Sequence, residues 1–308
     1  MQWNKIVLSV VLAFFAIAIM ATFMWPAASA LAVSPMTGAP KQTLRLATTT
    51  SMQDTGLLDS LLPAFEKANS VDVKVTAVGS GAAIQMGREG DADVLIAHSP
   101  VAEEAFMKEG YGSDRTQFAH NYFVIVGPKG DPAGIRGMDN AVQAFRQISD
   151  SKSTFVGRGD NSGTAIKEAS LWKSAGLPMP GRQTAWYKST GMGMAETLRM
   201  ADEMNGYALS DRSTFLNDRK DLSALEILVD ATPDMLNTYN IIAVSKEKHP
   251  GVNSAMAQKF LEYMTSPEAQ AKISQYGQQT VGQPLFMTGP PAAAGQPATA
   301  RQPAAVSA

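Results

Sequence analysis

Seven short apolar runs alternate with longer amphipathic stretches along the middle of the chain. Residues 43–48 (TLRLAT), 71–78 (VDVKVTAV), 92–98 (ADVLIAH), 122–128 (YFVIVGP), 153–157 (STFVG), 224–230 (ALEILVD) and 239–245 (YNIIAVS) have the length and β-branched content of strands. Most are followed by a helical pattern. That alternation predicts α/β architecture with mainly parallel pairing and right-handed crossovers. The first helix carries Leu57, Leu58, Leu61, Leu62 and Phe65 on one broad face, which reads as core, with Pro63 expected to kink or divide it. The apolar strands at 121–128 and 239–245 bracket a segment with strands and helices of its own, which suggests one lobe inserted into another. The expected boundaries are residues 43–124 plus 240–282 for the first lobe and 125–239 for the second. Two passages of the chain between lobes make a hinge, and ligands favour such interfaces and the carboxyl ends of parallel strands.

The 308 residues, 45% of them hydrophobic, suffice for a large core. Lysine and arginine number 26 against 28 acidic residues, so no global field collects nucleic acid or an anionic membrane, and a charged ligand must be recognised locally. Cysteine is absent, which excludes disulfide scaffolds, zinc ribbons and thiol nucleophiles. The uncharged run from Ile6 to Trp25, followed by Ala28-Ser29-Ala30, reads as an export signal over residues 1–30 with a small-residue cleavage site; its length also fits an uncleaved anchor. Residues 284–308, rich in Pro, Ala and Gln, are expected to form a disordered tail.

The chemistry concentrates where strands hand over to helices. Thr48, Thr49, Thr50 and Ser51 form an unbroken row of hydroxyls at the first such junction. Backbone N–H groups at a helix start lack intrahelical partners, and the helix dipole there favours an anion. A simple cap would need only one such residue. Gly79-Ser80-Gly81, Arg158 with Ser162-Gly163-Thr164, and Ser189-Thr190-Gly191 repeat the construction, two junctions in each expected lobe. Arg158 is the one guanidinium set within these clusters, and its fork suits two oxygens of one anion; pairing with Asp160 is the alternative.

Sharper motifs are set aside. GDNSG is not G-x-S-x-G, and none of His98, His120 and His249 is assigned as a base for Ser162. The histidine spacings give no metal signature, and GSGAAIQMG lacks both the third glycine of a dinucleotide turn and the lysine of a phosphate loop. Trp172 and Trp186 read as packing residues.

The stretches LATTTSMQDTGLLDSLLPAFEK, DADVLIAHSPVAEEAFMKEGYG, NYFVIVGPKGDPAGI, GRGDNSGTAIKEASLWKSAG and IIAVSKEKHPGVN resemble the substrate-binding components of tungstate ABC transporters, over residues 44–276. The resemblance implies a two-lobed periplasmic binding protein fold of type II, with two crossover strands at the hinge, which closes over one oxyanion and presents it to a membrane permease. It implies no cofactor and no catalysis. Carried over by motif, it gives T-T-T-S at Thr48 to Ser51, R-G-D-x-S-G-T at Arg158 to Thr164 and the G-[ST]-G loop at Gly79 to Gly81. Gly157 and Ala165 depart from the pattern, standing where serine and histidine are usual.

The expected ligand set is Thr49, Thr50, Ser51, Ser80, Gly81, Arg158, Ser162, Gly163 and Thr164. Fully ionised tungstate, molybdate and sulfate need only donors, whereas protonated phosphate also needs an acceptor, for which Asp160 and Asp54 are the nearby residues. Tungstate stands first, followed by the other oxyanions; a membrane-tethered sensory domain and a serine hydrolase are more distant readings. A monomer with no nucleic-acid partner is expected.

Overall fold

A computed structural model describes residues 41–181 and 183–291. The export signal and the tail beyond residue 291 lie outside the described residues. Among the described residues no helix is long and apolar enough to cross a membrane.

Strand β1 (Gln42–Thr49) lies between β2 (Val71–Val78) and β3 (Val94–Ala97), paired in parallel with both. Between β1 and β2 run a short helix α1 (Thr50–Asp54) and the longer α2 (Leu57–Asn69). Their break falls at Gly56, whose φ of +73° suits glycine, and α2 continues through Pro63. Pro63 is exposed on the same outer side as Asp59, four residues back, so the carbonyl that loses its helical partner can bond water. Helix α3 (Ser80–Glu89) returns the chain to β3, and α4 (Pro100–Lys108) follows it.

Two long strands then depart from the expected parallel pattern. β4 (Gly112–Pro128) and β9 (Leu236–Val244) run antiparallel to each other, and β9 is antiparallel to β3 as well. The first part of β4 pairs with β9, while Phe123–Pro128 pairs antiparallel with β7 (Ala208–Asp211) and β8 (Leu225–Val229). The sheet order is β2-β1-β3-β9-β4-β7, with β8 also on β4. Parallel pairing is thus confined to the helix-linked strands; a chain that leaves along one strand and returns along its neighbour must pair antiparallel. A small parallel pair, β5 (Phe155–Gly157) and β6 (Tyr187–Ser189), joins β7 through the Phe155–Tyr207 bridge. β6 and β7, three and four residues long, were too short to stand out in the apolar pattern.

Helices α5 (Ala141–Asp150), α6 (Gly163–Ser174), α7 (Met194–Glu203) and α8 (Arg212–Asp218) occur between β4 and β8, and α9 (Ser254–Thr265), α10 (Pro267–Gln275) and α11 (Gln278–Val281) close the described fold. The apolar side chains collect accordingly. One core holds Leu44, Leu58, Phe65, Phe260 and Ile273; another holds Phe123, Phe145, Phe155, Trp172 and Met235. Trp172 and half-buried Trp186 pack with the second, as expected of packing residues.

The start of the expected tail needs correction. Leu285 and Phe286 are buried in the first core, and His120 and Met287 exchange backbone bonds of 2.9 and 2.8 Å. Two apolar side chains amid small and polar ones are enough to fold this segment back beneath Tyr239, whose ring meets Phe286 edge-on at 5.5 Å. Replacing Phe286 by alanine should therefore cost ~3–5 kcal/mol, the range for emptying a buried aromatic site, measured by urea denaturation; a tail without packing would show no change.

Candidate functional site

The β1–α1 and β2–α3 turns leave the sheet side by side, because Thr48 and Thr49 are in register with Ala77 and Val78. Thr49 caps α1: its Oγ1 accepts from the Met52 amide at 3.3 Å and lies 3.2 Å from Ser51 Oγ. The capping role is therefore present, and it occupies one residue of the row. Thr48 is fully buried, with no hydrogen-bond partner for its Oγ1 among the described residues. Thr50 is half-buried and faces Gly193 at the start of α7. Ser80 opens α3 and its Oγ accepts from the His98 amide at 3.3 Å.

Arg158 follows β5 in a tight turn. Gly159 has φ of +63° and Ser189 packs where its side chain would be, so the turn requires glycine twice over. Asp160 accepts from Arg158 Nη2 and from Ser162 Oγ, both at 2.6 Å, and Ser162 Oγ in turn caps α6 by accepting from the Ala165 amide at 3.2 Å. The Thr190 and Gly191 amides donate to the carbonyls of Gly157 and Arg158 at 3.0 and 2.7 Å. The fourth junction thus braces the arginine turn. Arg158 is only 2% exposed, and its Nε, like the fully buried Thr164 Oγ1, has no partner among the described residues. The Asp160 carboxylate engages Arg158 Nη2 and leaves Nε uncommitted among the described residues.

The turns before α3 and α6 meet. The Gly81 amide donates to the Asn161 carbonyl at 3.0 Å, and a Cβ on Gly81 would stand 2.8 Å from that oxygen. A Cβ on Gly79 would lie 3.3 Å from the Ser162 backbone, and one on Gly163 would lie 2.8 Å from the His98 carbonyl. Gly81 therefore uses its amide between the two turns in this conformation. Their absent side chains let two helix N-termini converge beside Arg158, an arrangement suited to an anion. Ser162 Oγ donates to the Asp160 carboxylate and accepts from the α6 amide, with no histidine bonded to it among the described residues, and no His, Cys, Asp and Glu group there could hold a metal ion.

Beneath these turns is a buried network that sequence reasoning missed. Asn121 on β4 and Asn237 on β9 stand in register. Asn237 Nδ2 donates to Asn121 Oδ1 at 2.8 Å and to Asp211 Oδ2 at 2.6 Å, while Asn121 Nδ2 donates to Asp211 Oδ1 at 2.9 Å. The Tyr239 hydroxyl and Ser213 also donate to Asp211, and His98 Nδ1 meets Asn237 Oδ1 at 2.9 Å. The available signal was asparagine beside two apolar runs, Asn121 before one and Asn237 and Asn240 at the start of the other.

The model described as a PBP superfamily domain matches residues 34–268. The tungstate-binding protein TupA of Peptoclostridium acidaminophilum is 43% identical over 248 residues, covering 80% of this chain and 85% of that protein. The crystal structure of the tungstate ABC transporter from Geobacter sulfurreducens shares 43% identity at a TM-score of 0.69, covering 76% of this chain and 98% of that one. The tungstate-binding protein TupA from Desulfovibrio alaskensis G20 shares 41% identity at the same TM-score, covering 80% and 99%. The chain belongs to the tungstate-binding protein family of the PBP superfamily. It is an oxyanion-binding component of the transport class and not an enzyme.

In this binding protein one buried acid lies behind the arginine turn. Glu168 Oε1 accepts from Tyr187 Oη at 2.8 Å and Trp172 Nε1 at 3.1 Å, and the Arg158 amide also donates to this carboxyl. A Cβ on Gly157 would fall 2.6 to 2.7 Å from both carboxyl oxygens, so the departure from serine there leaves the space that Glu168 and Tyr187 fill. Burial pushes Glu168 up to about 7, against the three bonds that favour its charged form. Burial, with Asp218 and Glu196 nearby, pushes Asp54 up to about 6.

A carboxyl whose folded pKa is raised stabilises the fold fully below its ordinary value, 4.5 here, and loses that contribution as pH rises through about 7. Each tenfold difference in proton affinity is worth ~1.4 kcal/mol, so Glu168 should account for a loss of a few kcal/mol across that window. Glu168→Gln should flatten the stability–pH curve there in denaturant titrations; an unchanged slope would place the ionisation elsewhere.

Proposed function

We propose that this protein captures tungstate outside the cytoplasm and passes it to a membrane permease. The observation that carries this reading is a trio of buried polar atoms without partners among the described residues: Arg158 Nε and Thr164 Oγ1, which flank the turn where the α3 and α6 N-termini meet, and Thr48 Oγ1 near the end of β1. A buried polar group without a partner costs ~1–3 kcal/mol, which an anion would recover at each atom. The proposed contacts are Thr49, Thr50, Ser51, Ser80, Gly81, Arg158, Ser162, Gly163 and Thr164, with Thr48 added. Asp160 is bonded to Arg158 and Ser162, so it is poorly placed to take a phosphate proton. The kinship with tungstate-binding proteins favours tungstate among the fully ionised anions.

In this reading residues 43–124 with 240–282 form one lobe and 125–239 the other, the lobes close on the anion as hinge-type binding proteins do, the protein works as a monomer, and residues 1–30 direct export. Calorimetric titration with tungstate, molybdate, sulfate and phosphate tests it. Tungstate should bind most tightly; heats no larger than dilution for all four would overturn it.

Removing one member of a buried charge pair costs ~2–5 kcal/mol. Arg158→Ala should therefore weaken tungstate binding by about 30-fold or more, at ~1.4 kcal/mol per tenfold, while the circular dichroism spectrum stays that of the parent. Unchanged affinity would confine Arg158 to its pairing with Asp160.

A further inference from the structure

His98 sits where the buried network meets the binding turns. Asn237 Nδ2 is committed to Asn121 Oδ1 and Asp211 Oδ2, which turns Asn237 Oδ1 towards the imidazole 2.9 Å away. An amide oxygen only accepts, so His98 Nδ1 carries the proton, and Nε2 of the neutral ring is a bare acceptor. The plane is fixed by Tyr239, stacked at 5.0 Å and 9°, and by Phe123 at 6.0 Å and 23° on the strands that cross beneath. Nε2 is directed at Gly163, where a Cβ would stand 2.9 Å from it. Gly163 is the first residue of α6 and precedes Thr164, whose hydroxyl lacks a partner.

A bare acceptor is the wrong partner for a fully ionised oxyanion, whose oxygens want donors. We propose that His98 is a specificity-determining residue whose Nε2 takes up a proton when the dianion binds, becoming a donor, so that capture of the anion is linked to proton uptake. This inference rests on the oxyanion reading of the site given above. A hydrogen phosphate ion would bring such a proton with it; tungstate must draw it from solvent.

The charged and titratable groups facing the ring are Asp211 from β7, Arg158 after β5 and Tyr239 from β9. Burial holds the imidazolium form down and Arg158 acts in the same sense, while Asp211 and the Asn237 bond oppose them. The ring is therefore held neutral before binding, and a buried dianion is the change that would charge it. Glu168 and Asp54 titrate nearby and remain in any His98 variant, so a comparison of variants isolates the histidine.

The experiment is calorimetric titration of the protein with sodium tungstate at neutral pH in two buffers of unlike ionisation enthalpy, which counts protons taken up per anion. His98→Asn retains an amide able to donate to Asn237 and has no counterpart of Nε2; His98→Gln places a non-titrating amide near the Nε2 position. The parent should take up as much as about one proton through His98, and its affinity should fall by up to tenfold per pH unit above neutrality. Both variants should show less uptake and a shallower pH profile. Nitrogen-15 spectra of the parent, which need no variant, should show Nε2 gaining its proton as tungstate is added. Tungstate binding with equal proton uptake in parent and variants, or with Nε2 left bare, overturns the role of His98 alone. Failure of the parent to bind tungstate overturns the site reading beneath it.

Discussion

A buried carboxylate met only by neutral donors joins the two long strands at the centre of this protein. Asp211 accepts from Asn121 on β4, Asn237 and Tyr239 on β9, and the backbone and hydroxyl of Ser213 at the start of α8. Such a group is costly to bury unless every lone pair is occupied, so the four partners have little freedom to move independently. Their fixed orientation propagates outward: Asn237 sets the tautomer of His98, and Tyr239 supports that ring by stacking. The precision of the turns above derives from this network as much as from the turns themselves.

The turns commit some of their polar groups to structure and leave others without partners among the described residues. Thr49 and Ser162 spend oxygen lone pairs on helix amides, and Asp160 engages one arm of Arg158. What remains uncommitted is donor chemistry on Thr48, Arg158 and Thr164, held in place by neighbours that are themselves satisfied. Preorganised donors of this kind bind without first breaking internal bonds, which is how small anions are held firmly.

The strand-to-helix junctions were legible in the sequence because they depend on local signals: an apolar run, then Ser, Thr or Gly, then a helical period. The R-G-D-N-S-G-T turn likewise lies within one short stretch. What was illegible is non-local. Asn121 and Asn237 meet in register across more than a hundred residues, and nothing near either one announces the other. The antiparallel β4–β9 pairing, which overturned the expectation of a mainly parallel sheet, has the same origin. Phe286 was missed because the composition around it looked unstructured, although two apolar side chains sufficed to anchor the segment. Pro63 was expected to kink or divide its helix; the helix is not divided there, since the lost bond faces water, and the division falls at Gly56.

The placement of Phe286 also orders assembly in time. The core that contains Leu44 near the start of the described fold also contains Leu285 and Phe286 at its end, so it cannot be completed until nearly the whole chain is available. The core built on Phe123, Phe145, Trp172 and Met235 draws on one continuous segment and has no such wait. A chain emerging from its amino end can thus settle its interior segment first, while the flanking segments stay loose until the last packed residues arrive. Synthesis direction and topology together make the carboxyl end of this fold its closing clasp.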